Sequence, residues 1–247
     1  KKTNLLIAKN KVTINDPDED IVIFSQEITY DQNKNVIFTE GFTEARVQNK
    51  YNFYSNNVFY NKQNAELSSK KKTQVLDDKY NLYELDKFNY SKKEFLLKGE
   101  NVKIKTNFNS NINSDEYFFE SGFFYLDNRN FNAGNTKISM QKSIFGNIEN
   151  DPRLFGVTSF KEGEITQVNK GIFTSCKKRE GCPPWSIQAQ KIIHDKKKKQ
   201  LIYDNAFLKV YDFPIVYFPK FFHPDPTVKR QSGLLKPILN ESETLGS

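Results

Sequence analysis

The fold of this chain is decided by stretches such as residues 28–38, which read ITYDQNKNVIF. A short alternation of apolar and polar residues, Ile28-Thr29-Tyr30, runs into five polar residues, and a second alternation, Val36-Ile37-Phe38, follows. A period of two is typical of a β-strand, and an Asn/Asp/Lys-rich connection between two such runs is typical of a hairpin turn. The stretch therefore predicts two antiparallel strands joined by a tight turn.

The same hairpin pattern recurs over roughly the first 210 residues. Polar connections follow Tyr60, Tyr90, Tyr125 and His194, and Tyr30, Tyr60 and Tyr90 are each 30 residues apart. Such spacing predicts stacked hairpins that share one continuous apolar face, buried by a sheet that wraps or by two facing sheets. A compact Greek-key sandwich is the alternative.

Composition supports an all-β protein. Aromatic residues make up 14% of the 247 residues, too many for a disordered chain, although the mean hydropathy is −0.70. The net charge of +7 suits a polyanion or a phosphorylated glycolipid. Because the lysines are spread along the chain and no helix gathers them, we expect no nucleic-acid partner. No run of 18 apolar residues exists, so no transmembrane helix is predicted.

The last 34 residues differ from the rest of the chain. They hold five of the nine prolines, and a proline removes a donor from a strand ladder. This segment therefore predicts a connector or a specialised edge strand. Since the pattern stops abruptly at Ser247, we expect the chain to be a piece of a longer protein.

The residues that could carry chemistry are few. Cys176 and Cys182 predict a disulfide, either with each other or with a partner outside this segment. Zinc is disfavoured because only two histidines exist. A hydrolase using Cys176, His194 and Asp195 is a further alternative, but His194 and Asp195 fall at a predicted hairpin turn, where a polar pair is ordinary. We expect no enzyme activity, no metal and no cofactor.

The alternating apolar residues have two interpretations: a packed core, or an elongated trough that accepts acyl chains. Pattern alone does not separate them, because both need the same alternation. The candidates for a lipid groove are Ile28, Tyr30, Val36, Phe38, Val58, Tyr60, Tyr90, Phe95, Leu97, Val102 and Ile104.

Several blocks from residue 171 onward resemble one known family. They are Gly171–Cys176, Pro184–Ile187, Asn205–Val210, Pro214–Pro219 and Lys229–Pro237. Their order and spacing resemble the LptD family of lipopolysaccharide-assembly outer-membrane proteins, also called organic solvent tolerance (OstA) proteins. The resemblance covers roughly 75 residues, and residues 1–170 match only in their hairpin-rich style.

This resemblance implies a fold and a role. The expected fold is an open, twisted β-jelly roll over residues 1–225, with its linker, leading into the first strand of a transmembrane β-barrel over 226–247. The jelly roll would receive lipopolysaccharide from a periplasmic bridge protein of similar fold and pass it to the barrel, which a lipoprotein plugs. The expected location is the cell outer membrane, with this segment mostly periplasmic. A soluble periplasmic bridge or scaffold without a barrel is the alternative.

The resemblance also implies roles for two residues. Cys176 matches a jelly-roll cysteine that bonds to a cysteine near the end of the barrel, although Cys182 departs from that pattern and leaves a local Cys176–Cys182 bridge open. Pro237 matches a first-strand proline at the lateral gate of the barrel. Its missing N–H would weaken the seam through which lipid leaves.

Overall fold

Seventeen β-strands account for all the regular structure in the described part of the chain. The computed structural model describes residues 4–110, 114–140, 151–177, 181 and 183–224. The first nine strands are β1 (Leu5–Asp16), β2 (Ile21–Asp31), β3 (Val36–Val47), β4 (Tyr51–Asn56), β5 (Phe59–Asn61), β6 (Glu66–Ser69), β7 (Thr73–Asp77), β8 (Leu82–Leu85) and β9 (Lys87–Ser91). The others are β10 (Leu96–Lys105), β11 (Glu116–Tyr125), β12 (Asn130–Ser139), β13 (Arg153–Glu162), β14 (Ile165–Thr174), β15 (Trp185–Asp195), β16 (Gln200–Val210) and β17 (Phe213–Pro224).

Strand pairing follows chain order and is antiparallel throughout. β3 pairs with β4 over one half and with β5 over the other, so β4 and β5 are two segments of one interrupted strand. β6 with β7, and β8 with β9, are interrupted in the same way. The predicted all-β fold is therefore confirmed, and it is consistent with a jelly-roll-like sheet. Sequential pairing excludes the Greek-key alternative among the described strands.

The predicted hairpin turns are present. Residues 31–35 connect β2 to β3, and the Asp31 carboxylate accepts hydrogen bonds from the backbone N–H groups of Asn33 and Lys34. Asn61 accepts the equivalent bonds in the next turn of this kind. Such Asx turns explain why Asp or Asn follows the tyrosine of these hairpins.

The tyrosine repeat lies on one row across the sheet. Tyr30 is opposite Ile37, Ile37 is opposite Tyr60, and Leu67 lies between Tyr60 and Tyr90. The fourth tyrosine breaks the repeat, because Phe124 takes the inward position and Tyr125 is exposed.

A line of interruptions in the strand pairing crosses the middle of the sheet. Asn101, Asn135, Lys170 and Asn205 have φ between 47° and 51°, and each is skipped in the pairing of its strand. Asn tolerates this left-handed conformation better than most residues. The Asn101 amide also donates to Asp86 at 2.8 Å, and the Asn205 amide donates to Gln190 at 2.8 Å. The residue opposite each of them is skipped as well, so no residue is inserted and the register is the same on both sides of the interruption. The burial alternation changes phase there on both strands, since Leu97 and Val102 are buried on β10 and Phe119 and Phe124 on β11.

The sheet curls so that the two ends of its strands meet. We call the turns at 31–35, 61–65, 91–95 and 126–129 the first rim, and the turns at 17–20, 48–50 and 78–81 the second rim. These rims lie at opposite ends of the strands, and a straight eleven-residue strand is about 36 Å long. Side chains nevertheless join the two rims. Tyr60, next to the first rim, contacts Asp16, which is next to the second rim and 44 residues away in the chain. The inner face is thereby enclosed.

Two apolar clusters fill the enclosed inner face. The first draws on β2 to β12 and includes Phe53, Tyr60 and Phe119. The second draws on β12 to β16 and includes Phe173 and Tyr203. Tyr117 packs against both clusters, so the core is continuous along the sheet.

The proline-rich segment from Phe213 forms β17, which pairs only with β16 in the described part of the chain. The sequence left a connector and an edge strand open, and the structure shows an edge strand up to Pro224. The predicted domain boundary at 225/226, the barrel strand and Pro237 lie outside the described residues.

Candidate functional site: the inner face, its seam and its edges

Most of the predicted groove residues lie on the inner face. The seven that are buried in the first apolar cluster are Ile28, Val58, Tyr60, Tyr90, Leu97, Val102 and Ile104. Tyr30 is partly buried against that cluster. Val36 is partly buried but alternates with the inward Ile37, so it shares the outward side of β3 with Phe38 and its predicted inward position is wrong. Phe95 lies in a turn with φ 52°. The structure thus brings most candidates onto one surface, where they pack as a core; their contact with lipid stays a prediction.

Phe38 was expected to face inward, and this is wrong. In β3 the inward positions belong to Ile37 and Thr39, and Phe38 is 38% exposed on the outer face. The reason is register: the turn places Ile37 opposite Tyr30, and directly opposite residues share a face of the sheet. Counting alternation from Val36 missed this by one residue.

A buried hydrogen bond joins the two rims at the start of the sheet. The Tyr60 hydroxyl donates to the Asp16 carboxylate at 2.8 Å, and both side chains are buried. Lys62 Nζ lies 3.5 Å from the same carboxylate oxygen. Burial, and then the Asp16 carboxylate, raise the pKa of Tyr60. We call the line where the rims meet the seam.

Three further contacts continue the seam along the sheet. Lys92 Nζ is 3.1 Å from the Glu19 carboxylate, and the Tyr51 hydroxyl donates to the Leu126 carbonyl at 3.0 Å. In the second half, the Phe173 ring lies 5.4 Å from the His223 ring, between centroids. A molecule that enters the inner face through the seam has to break contacts of this kind.

His223 is a structural residue in this arrangement. It is buried, its Nε2 lies 2.8 Å from the Tyr203 hydroxyl, and its Nδ1 lies 2.7 Å from the Pro224 carbonyl. Since a carbonyl only accepts, Nδ1 donates and Nε2 accepts from Tyr203 in the neutral tautomer. The ring therefore ties β17 to β16 at the end of the described chain.

The two edges of the sheet differ in their capacity to pair. β1 contains no proline, and Leu5, Leu6 and Ile7 are exposed along it. β17 contains Pro214, Pro219 and Pro224, and each lacks the N–H that a further strand would need. Backbone strand addition is therefore favoured at β1 and hindered at β17.

The outer face carries a depression of about 810 Å³, which we call the outer depression. Its rim includes Phe38, Phe59 and Phe123, and the backbone of Gly99 and Gly122 lies against it. The lining also contains small polar side chains and five charged residues, which are Lys70, Lys71, Lys87, Lys98 and Glu100. No sequence pattern pointed to this site, because its residues come from six strands.

The residues considered for catalysis come from opposite ends of β15. His194 and Asp195 lie at one end of β15, beside the turn into β16. Cys176 follows the far end of β14, with its Sγ 3.7 Å from the carbonyl of Trp185 at the start of β15. His194 is nine residues from Trp185 along β15.

The disulfide, metal and membrane-helix expectations are only partly addressed by the structure. Cys182 lies outside the described residues, so the pairing of Cys176 stays a prediction. Among the residues that are described, no three His, Cys, Asp or Glu side chains are arranged to hold a metal ion. Within the same residues, no helix is long and apolar enough to span a membrane.

Comparison with known proteins finds one informative relative. The chain is 29% identical over 86 residues to the LPS-assembly protein LptD of Hahella chejuensis (strain KCTC 2396). The match covers 35% of this chain and 10% of that protein, so the chain spans a small part of its relative. No protein-family model matches the chain. The similarity supports a link to lipopolysaccharide-transport proteins of the outer membrane at the level of the family.

Proposed function

We propose that this chain is the periplasmic jelly-roll part of a lipopolysaccharide-assembly protein and that it conducts lipopolysaccharide towards the outer membrane without catalysis. The observation that carries the proposal is the match to LptD, found in a chain whose strands form one continuous sheet around an apolar inner face.

The inner face supplies the driving force for binding acyl chains. Its residues form an apolar surface that runs from β2 to β16. Burial of an acyl chain is favourable by about 0.8 kcal/mol per CH₂. Because the inner face is enclosed and packed, lipid entry requires the two rims to separate along the seam.

The seam is suited to such opening. Its polar contacts, Tyr60 with Asp16 and Lys92 with Glu19, each join groups that water can solvate once they part. The polar headgroup would remain at the seam while the acyl chains occupy the inner face. Lipopolysaccharide would then move along the seam, from one strand to the next across the sheet.

The edges give the conduit a direction. A bridge protein of similar fold would add a strand to β1, which is free of proline. At the other end β17 leads to residues 225–247, where the barrel of the longer protein would begin. The plug lipoprotein would act beyond this point.

Site-specific photo-crosslinking in cells tests the proposal. Tyr90 is the preferred position for p-benzoylphenylalanine, since its ring is on the inner face and its hydroxyl makes no hydrogen bond that the replacement would lose. Phe160, which is exposed on the outer face, is the matched control. We expect a lipopolysaccharide adduct at Tyr90 and none at Phe160.

The design also defines failure. A Tyr90 variant of the full-length protein that supports growth but never captures lipopolysaccharide would overturn the proposed route. Equal capture at Phe160 would place the lipid on the outside of the sheet.

A further inference from the structure

The outer depression is built from two neighbouring rows of outward-facing side chains. The first row crosses six strands, from Phe38 through Phe59, Ser68, Asn89 and Lys98 to Phe123, each directly opposite the next. Five strand spacings make this row about 24 Å long. Aromatic rings therefore stand at its two ends, with small or extended polar side chains between them.

The second row carries charge. Lys87 is opposite Glu100 and forms an ion pair with it at 2.7 Å, and Ser121 follows on β11. Lys70 and Lys71 belong to the interruption between β6 and β7, and both are exposed at the depression. No ion pair involves either of them among the described residues. Lysine ammonium groups in such a position bind phosphate as point charges.

Lys98 adds a positive charge to the first row. Its Nζ lies 5.8 Å from the centre of the Phe123 ring, so a positive charge is held at the aromatic end of the trough. The outer depression thus combines an elongated surface with aromatic ends, an excess of positive charge and a backbone floor at Gly99 and Gly122. A ligand that fits has a long apolar part and an anionic group.

We infer that the outer depression binds a single-chain anionic amphiphile of the alkyl phosphate type. The alkyl chain lies along the row from Phe59 to Phe123, and the phosphate contacts Lys70 and Lys71. This site is on the face opposite to the proposed lipopolysaccharide route and is independent of it. Charge complementarity selects an anion, and the length of the row selects a chain over a compact ligand.

Isothermal titration calorimetry on the full 247-residue chain tests the inference, with dodecyl phosphate kept below its micelle concentration. The comparison probes are dodecyltrimethylammonium, which has the same chain and the opposite charge, and inorganic phosphate, which has no chain. We expect dodecyl phosphate to bind at one site at least ten times more tightly than either probe. Equal affinity for the cationic probe would overturn the charge argument.

Variants locate the binding. Phe59→Ser with Phe123→Ser is expected to weaken dodecyl phosphate binding at least tenfold, and Lys70→Gln with Lys71→Gln at least fivefold. The matched controls are Phe160→Ser, which is equally exposed but outside the depression, and Lys50→Gln with Lys79→Gln, which remove two exposed charges elsewhere. The controls are expected to bind as the wild type does.

The result that refutes the site is unchanged affinity in both the aromatic and the lysine variants. All substituted side chains are exposed, and circular dichroism confirms folding of each variant. Since inner-face capture at Tyr90 does not involve these residues, failure here leaves the transport proposal standing, and failure there leaves this site standing.

Discussion

The bond between Tyr60 and Asp16 gives the sharpest test of how the sheet closes. Tyr60→Phe removes one hydroxyl and leaves the Asp16 carboxylate buried with Lys62 at 3.5 Å as its remaining partner. A hydrogen bond to a charged group contributes about 1.5–3 kcal/mol. Because Tyr60 is 0% exposed and Asp16 is 3% exposed, solvent cannot replace the lost partner. We therefore expect Tyr60→Phe to lower the free energy of unfolding by about 2 kcal/mol.

A double-mutant cycle separates this bond from other effects of the substitutions. Tyr60→Phe, Asp16→Ala and the double variant are unfolded in urea at neutral pH, with tryptophan fluorescence and circular dichroism as probes. Residues in direct contact show coupling of about 0.5–3 kcal/mol, whereas independent sites add within about 0.5 kcal/mol. We expect a coupling energy above 1 kcal/mol.

Tyr30→Phe is the control, since it lies on the same row of the sheet but its hydroxyl bonds to Asn35 within its own turn. It is expected to show no coupling to Asp16→Ala. Coupling below 0.5 kcal/mol between Tyr60 and Asp16 would refute the reasoning, because the rims would then not meet at this point.

Three further predictions concern stability. Burial raises the pKa values of Tyr60, Tyr83, Tyr90, Tyr117 and Tyr203, so the free energy of unfolding should be constant below the unfolded pKa near 10 and should fall as the pH rises above it. A pH titration followed by circular dichroism that shows no transition by pH 12 would contradict this. Asn135→Ala should lower the free energy of unfolding by about 1 kcal/mol more than Asn135→Gly does, because both lose the bond to Glu120 but only Ala is strained at φ 47°. Equal urea midpoints would count against backbone strain at this position. Gly171→Ala should lower the free energy of unfolding by about 1–3 kcal/mol, because the new Cβ would lie 2.6 Å from Ile192 Cδ1. Adding Ile192→Val should restore part of the lost stability in thermal melts; no recovery would place the strain elsewhere.

The hairpins were predictable because their signals are local. The polar turn after Tyr30 and the one after Tyr60 are encoded within five residues, and the structure shows turns at both. The edge character of the segment from Phe213 was also accessible, since its prolines cannot serve a central strand.

The errors arose where local counting failed. Phe38 was placed inward because it alternates with Val36, yet the register to β2 turns it outward. The interruptions of the pairing were not visible either, because Asn101 and Asn135 read as ordinary polar strand residues. A change of phase within a strand reverses every later inward and outward assignment along it.

The sequence by itself determined the all-β class, the positions of most turns and the family resemblance, because alternation and turn chemistry act between near neighbours in the chain. Only the tertiary structure decided which face is enclosed, where the rims meet and how the outer depression is assembled. Those features depend on cross-strand register and sheet curvature, which place Tyr51 against Leu126 across 75 residues and Phe38 in one row with Phe123. Contacts between residues that are so far apart in the chain produce no periodic pattern in a single sequence.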